Sequence, residues 1–207
     1  MLLVERGKLA LDDELTKYLP DYPTHNQRIT IRHLLTHTSG IEGYTELPEF
    51  GDLMPLRKSP DTLVKMFSGK PLDFAPGEQL VYNNSAYFLL GLIIEKAGGQ
   101  SYADFVKANL FDKVGMPGSY YCSERAIHRH HAHGYDTFAN TLVLKGAISH
   151  VWPFSAGSLC STAADLAAWV RPLVSGPIVT AVTRPPTRTV ISAWLVSCTQ
   201  VVNSLNG

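Results

Sequence analysis

Apolar residues fall into short windows at helical spacing, and each window opens on a recognisable cap. Leu63, Val64, Met66 and Phe67 follow Ser59-Pro60-Asp61, which supplies an N-cap, a proline at the first helical position and an acid in the first turn. Ser68-Gly69 closes that window. Ile31, Leu34 and Leu35 follow the capping residue Thr30, and Gly40 lets the chain turn away. Phe105, Val106, Leu110 and Phe111 follow a capping-box-like Ser101-x-x-Asp104. Thr162 and Asp165 open a last helix carrying Leu166, Ala167, Trp169 and Val170, predicted to run to Ser175-Gly176. The densest window holds Tyr87, Leu89, Leu90, Leu92, Ile93 and Ile94, too apolar all round to lie on a surface. Asn84 or Ser85 is predicted to cap this buried helix, and Gly98-Gly99 to end it.

Between these windows the pattern is looser. Leu9, Leu11, Leu15, Tyr18 and Leu19 are candidate core, and Asp12-Asp13 suit the first turn of a short helix better than a metal site. Met1 to Gly7 reads as the tail of a helix, with Glu5 and Arg6 interrupting any signal-peptide pattern. Ile41 to Leu56, with Gly43, Pro48, Gly51 and Pro55, reads as a loop. Pro76-Gly77 is a turn, and Leu80, Val81 and Tyr82 form a short extended run.

Composition narrows the function classes. Hydrophobic residues make up 45% of the 207 and charged residues 17%, which fits a folded chain rather than a disordered one. Lys+Arg and Asp+Glu are both 18, so no basic face invites nucleic acid. No apolar run reaches membrane-spanning length. Cys122, Cys160 and Cys198 are odd in number and far apart, and suit neither a disulfide framework nor a zinc site. Compartment stays open.

The candidate chemistry is sparse. His33 and His37 lie at i, i+4, but Leu34 stands where a zinc protease needs its glutamate. Ser39 beside His37 suggests a nucleophile and base, although sequence neighbours seldom present the geometry of a triad. The run from His128 to His133 holds four histidines, a second and metal-binding reading without an acid or cysteine among them. Its plainer reading is an exposed loop or edge strand. Tyr82-x-Asn84 sits at the mouth of the buried helix, where a polar pair is held in place.

Three stretches carry a family resemblance: I-T-I-R-H-L-L-T-H-T-S-G at 29–40, F-A-P-G-E-Q-L-V-Y-N-N at 74–84 and S-A-G-S-L-C-S-T-A-A-D-L at 155–166. Together with G-K-L-A-L-D-D at 7–13, they resemble the serine β-lactamase-like superfamily of class C β-lactamases, penicillin-binding proteins, D-alanyl-D-alanine carboxypeptidases and related esterases. The resemblance implies a mostly helical α+β chain: a helical part over about 22–120 and part of the antiparallel-sheet region over about 121–176. It fades from Pro177, and the tail 177–207, with no Asp, Glu or Lys, reads as divergent or frame-shifted. By the same resemblance, Tyr82 is the catalytic proton-transfer residue and Asn84 binds the substrate's amide. The substrate is a small amide, lactam or ester, and no metal or organic cofactor is implied. The family is often periplasmic or secreted.

Two family elements are missing. No serine is followed three residues later by lysine, and neither K-T-G nor H-x-G occurs. A phenol has a pKa of about 10, so a tyrosine base near neutrality needs help from cationic neighbours worth about 4 kcal/mol. Those lysines are absent, so Tyr82 is expected to keep its proton. The chain therefore reads as a fragment of a serine hydrolase, inactive by itself, or as a non-catalytic binding relative.

Overall fold

The computed structural model describes residues 1–128, 132–146 and 148–175. Helices come first along the chain: α1 (Leu2–Glu5), α2 (Ile31–Leu35), α3 (Phe50–Leu53), α4 (Pro60–Ser68), α5 (Asn84–Gly98), α6 (Tyr102–Val106) and α7 (Asp112–Val114). A π-helical turn, Lys107–Phe111, joins α6 to α7, and α8 (Ala163–Ser175) follows the strands. The strands form antiparallel pairs. β1 (Tyr120–Tyr121) pairs with β4 (Leu159–Cys160), and β2 (Tyr135–Phe138) pairs with β3 (Thr141–Leu144).

α5 is the centre of the core. Phe88, Leu89 and Ile93 are fully buried, and Leu15, Ile29, Ile31, Leu34, Ile41, Leu63, Phe67 and Trp152 pack in the same cluster. A second cluster gathers Tyr102, Val106, Phe111 and Met116 against Tyr121, Leu159 and Trp169. Gly91 lets the 154–156 turn lie against α5. A Cβ there would meet Ser155 Oγ at 2.0 Å, and that hydroxyl donates to the Tyr87 carbonyl at 2.7 Å.

The expected caps close α4 and α6: Ser59 Oγ accepts from Thr62 N–H at 3.2 Å, and Ser101 Oγ from Asp104 N–H at 3.1 Å. Gly99, at φ 70°, ends α5 in the left-handed conformation. The start of α5 is a correction. Asn83, not Asn84 or Ser85, is the N-cap, its Oδ1 accepting from Ala86 N–H at 2.8 Å. Asn84 is thereby freed to face Tyr82.

The stretch 41–56 is also more ordered than a loop. It contains a 3-10 turn at Tyr44–Glu46 and then α3. Tyr44 is buried, and its hydroxyl donates to Trp152 O at 2.8 Å, while Trp152 Nε1 donates to Leu56 O at 2.8 Å. Aromatic packing with a residue far along the chain outweighs the local turn signals.

The cysteines supply a further correction. Cys122 and Cys160 form a disulfide, with Cα atoms 5.5 Å apart and a sequence separation of 38. The β1–β4 register sets Tyr120 opposite Cys160, and Cys122 N–H donates to Ser158 O at 2.9 Å. Long-range strand pairing brings together two cysteines whose spacing suggested nothing. Cys198 lies outside the described residues.

The N-terminal segment is tied to α2 through the backbone. Ile31 N–H donates to Asp13 O at 3.0 Å, and Arg32 N–H to Leu11 O at 2.8 Å. Asp12 and Asp13 are ion-paired, Asp12 with Arg32 at 3.0 Å and Asp13 with Lys17 at 2.8 Å. The Lys17 ammonium, the Tyr18 hydroxyl and the Ala10 N–H hold the Asp13 carboxyl down to about 2. A carboxyl lowered on folding stabilises above its unfolded value of 3.8 and loses that contribution as pH falls toward about 2. Thermal melts of the chain are therefore expected to show an acid-side drop in this window, and Asp13→Asn should flatten part of it. An unaltered acid profile in Asp13→Asn would count against this assignment.

Among the described residues, no helix is long and apolar enough to cross a membrane. All residues of the β2–β3 hairpin are exposed, including Phe138 and Leu142.

Candidate active site

Tyr82 and Asn84 meet where the extended run 80–83 enters α5. Tyr82 Oη donates to Asn84 Oδ1 at 3.0 Å, and Asn84 Nδ2 donates to Thr45 Oγ1 at 3.3 Å. Tyr82 is 47% exposed, so its hydroxyl lies on an accessible surface. Leu80 and Val81 beside it are exposed too. The depression lined by His25, Gln27, Pro71, Leu72, Phe74 and Ala75, and the one lined by Pro55, Arg57, Glu124, Ile148 and Ser149, hold neither residue.

The residue between them fixes the pair. Asn83 is buried, at 8% exposure, and uses both ends of its amide. Its Nδ2 donates to the Ile41 carbonyl, its Oδ1 caps α5, and its backbone N–H donates to His37 Nδ1 at 3.1 Å. Without that side chain the Ile41 carbonyl and the Ala86 N–H would be buried and unpaired. Asn83→Ala is expected to lower unfolding free energy by about 2–3 kcal/mol, combining a lost cap with a stranded carbonyl. Urea denaturation followed by circular dichroism checks this, and a loss under about 0.5 kcal/mol would show that the anchor is dispensable.

His37 lies beneath the pair. The i, i+4 helical face expected for His33 and His37 is corrected here, because α2 ends at Leu35 and His37 turns into the left-handed region at φ 57°. His33 completes the α2 cap, its Nδ1 3.4 Å from Thr30 N–H. His37 instead packs its ring 4.8 Å from the rings of Tyr82 and Tyr87. Burial holds the His37 pKa below the ordinary histidine value. Its Nδ1 accepts a hydrogen bond from the Asn83 amide, so the neutral ring carries its own proton on Nε2. That nitrogen has no hydrogen-bond partner, which costs about 1–3 kcal/mol for a buried donor.

Tyr87 is a different kind of tyrosine. Its hydroxyl donates to Leu35 O at 3.1 Å, and burial, helped by nearby Tyr82, pushes its pKa up to about 12. It therefore remains a neutral phenol near neutrality. Ser39 and His37 do not form a nucleophile–base pair: Ser39 Oγ accepts from Ile41 N–H at 3.4 Å, while His37 Nδ1 is occupied by Asn83. Ser85 is fully buried and accepts from Tyr44 N–H at 2.9 Å. Of the histidine run, His130 and His131 lie outside the described residues. His128 stacks on Tyr120 at 3.5 Å, and no group of metal-ligating side chains forms among the described residues.

The structure thus brings Tyr82 and Asn84 together and adds Asn83, His37, Tyr87 and Thr45 around them. The T-H-T-S-G motif and the doubled asparagine were the available signals for His37 and Asn83.

Comparison with known proteins gives a consistent result. The sequence model of the family described as Beta-lactamase matches residues 1–199, a stretch that runs past residue 176. Penicillin-binding protein 4* of Bacillus subtilis is 38% identical over 152 residues, which is 70% of this chain and 33% of that protein. Among solved structures, a penicillin binding protein from Bacillus halodurans superposes with TM-score 0.73 at 30% identity, covering 87% of this chain and 56% of the other. A D-stereospecific amidohydrolase from Streptomyces sp. superposes with TM-score 0.77 at 26% identity, covering 87% of this chain and 58% of the other. The chain thus spans about a third of the curated relative's length.

Proposed function

The chain belongs to the Beta-lactamase family, and from that premise we propose that it carries the tyrosine–asparagine part of a serine-hydrolase site for small amides, lactams or esters. The observation that carries this reading is the Tyr82–Asn84 contact of 3.0 Å on an accessible surface, fixed from below by Asn83. The names of the penicillin-binding and amidohydrolase relatives support the substrate class.

In the proposed reaction a serine oxygen attacks the substrate carbonyl. The carbon–nitrogen or carbon–oxygen bond breaks, the leaving group takes a proton, and water then releases the acyl group. Tyr82 Oη is the proton-transfer group. Asn84 orients the substrate. Its Oδ1 has a second lone pair beyond the one facing Tyr82, and its Nδ2 a second hydrogen beyond the one facing Thr45. An amide or lactam substrate can therefore bind without breaking the internal contacts.

The nucleophile is not of the family type within this sequence, since no serine is followed by lysine three residues on. The chain by itself is therefore proposed to bind such ligands without turning them over. The test is a titration of 15N-labelled chain with an N-acyl amino-acid amide. The Asn84 side-chain amide is expected to shift, and Asn84→Ala to abolish binding while Asn84→Asp alters it. Binding that persists unchanged in Asn84→Ala would exclude this role.

A further inference from the structure

We propose that His37 is a positioning residue for Tyr82 and Asn84, held as its Nε2–H tautomer so that Nδ1 can fix the chain between them. This deepens the reading of Tyr82 as the proton-transfer residue and rests on it.

His37 touches three consecutive residues of the site strand. Its carbonyl accepts from Val81 N–H at 3.0 Å, its ring lies against Tyr82, and its Nδ1 accepts from Asn83 N–H at 3.1 Å. Thr38 extends the grip, its carbonyl accepting from Gly77 N–H at 2.8 Å. The other contact of the imidazole is Tyr87, stacked at an interplanar angle of 19° on the first turn of α5. The ring thus joins the site strand to the helix that starts from it.

A purely structural residue would look different here. The backbone at φ 57° lies in a region uncommon for residues other than glycine, though histidine enters it more readily than most. The surroundings are buried, at 6% exposure, and favour a hydrocarbon side chain. The imidazole leaves Nε2 without a partner. A polar ring in a buried place and an unpaired Nε2 therefore meet at one residue, and such conflicts mark functional sites more than scaffolding. What the imidazole alone supplies is an acceptor aimed at the Asn83 amide together with a flat face for Tyr82. If Nδ1 carried the proton, two N–H groups would oppose each other and the Asn83 anchor would open.

The test uses the chain as it is, labelled with 15N in histidine and in the backbone. In the wild type, His37 Nδ1 is expected to give an unprotonated imidazole signal and Nε2 a protonated one. His37→Phe keeps the stacked ring and removes the acceptor. It should speed hydrogen exchange at the Asn83 amide about ten-fold, the value of one hydrogen bond, and weaken the Tyr82–Asn84 nuclear Overhauser contact. His37→Asn places an acceptor near the Nδ1 position and tolerates the left-handed backbone, so it should restore Asn83 exchange to within about three-fold of wild type. The proposal is overturned by an Nδ1-protonated wild-type ring, or by a folded His37→Phe with unchanged Asn83 exchange and an unchanged Tyr82–Asn84 contact. If His37→Phe fails to fold, the wild-type tautomer and His37→Asn still decide. These readouts need no substrate. A failure of Tyr82 in proton transfer, read by activity of Tyr82→Phe in a version of the protein completed by a serine–lysine pair, is therefore separable from a failure of His37 in positioning.

Discussion

Tyr82→Phe, placed in a version of the protein completed by a serine–lysine pair one helical turn apart, is expected to lower acyl transfer about 10²–10⁴-fold, the usual worth of a positioned proton-transfer group. The substitution removes only Oη. The ring that packs 4.8 Å from His37 stays, and the Asn83 anchor does not involve the lost atom. Binding should therefore change little, and the loss should fall on kcat and kcat/KM together. Stability should move by less than about 0.5 kcal/mol, because the lost contact joins Tyr82 to Asn84 at an exposed site. Steady-state hydrolysis of a chromogenic lactam or ester measures this. Activity within about three-fold of the parent would remove Tyr82 from the reaction, being far below the expected range.

Gly40→Ala should be the most damaging single methyl addition near the site. Gly40 is at φ 72°, and a Cβ built on it would stand 2.0 Å from the Phe74 carbonyl oxygen and 3.1 Å from the Phe74 carbonyl carbon. Backbone cannot rotate aside as a side chain can. The clash would break the bond from Asp73 N–H to the Gly40 carbonyl, now 2.8 Å, and pull the 73–77 turn from the T-H-T-S-G segment. Strain and lost packing together should cost about 3–5 kcal/mol, a large part of the stability of an ordinary domain. Gly7→Ala is the matching control. Gly7 is also left-handed, at φ 65°, but nothing lies within 4 Å of its missing Cβ. It should cost only about 1–2 kcal/mol, the conformational penalty alone. Denaturant midpoints of the two variants give the comparison, and equal losses would show that the Phe74 contact does not matter.

These glycines illustrate which parts of the molecule could be read from the sequence. The caps at Thr30, Ser59 and Ser101 were legible because each acts within one turn of its own helix. The burial of α5 was legible because its apolar residues surround the helix. Its first residue was not. Asn83, Asn84 and Ser85 are all good caps by local chemistry, and the choice is made by the Ile41 carbonyl and His37 Nδ1, both over forty positions away. The same distance hid the Cys122–Cys160 disulfide, which depends on a strand pair only two residues long on each side. It also hid the order of residues 41–56, which comes from Tyr44 and Trp152 rather than from local propensity.

The candidate site divides along the same line. Tyr82 and Asn84 stood out because a known motif contains them, and the structure brings their side chains into contact. His37 was visible as one of two histidines at helical spacing, as a neighbour of Ser39 and as part of the T-H-T-S-G motif, none of which placed it under Tyr82. The left-handed turn that takes it out of α2 and under Tyr82 leaves no local sequence signature, since the residue that adopts it is not glycine.

Intact-protein mass spectrometry of the chain after incubation with an activated β-lactam and, separately, an activated ester tests whether this chain can form an acyl-enzyme. Substrate-orienting and proton-transfer groups sit on this chain without the family's nucleophile in its sequence. No stoichiometric acyl adduct is therefore expected, even where titration shows the ligand perturbing Asn84. A stoichiometric adduct mapped to a serine of this chain would contradict that expectation.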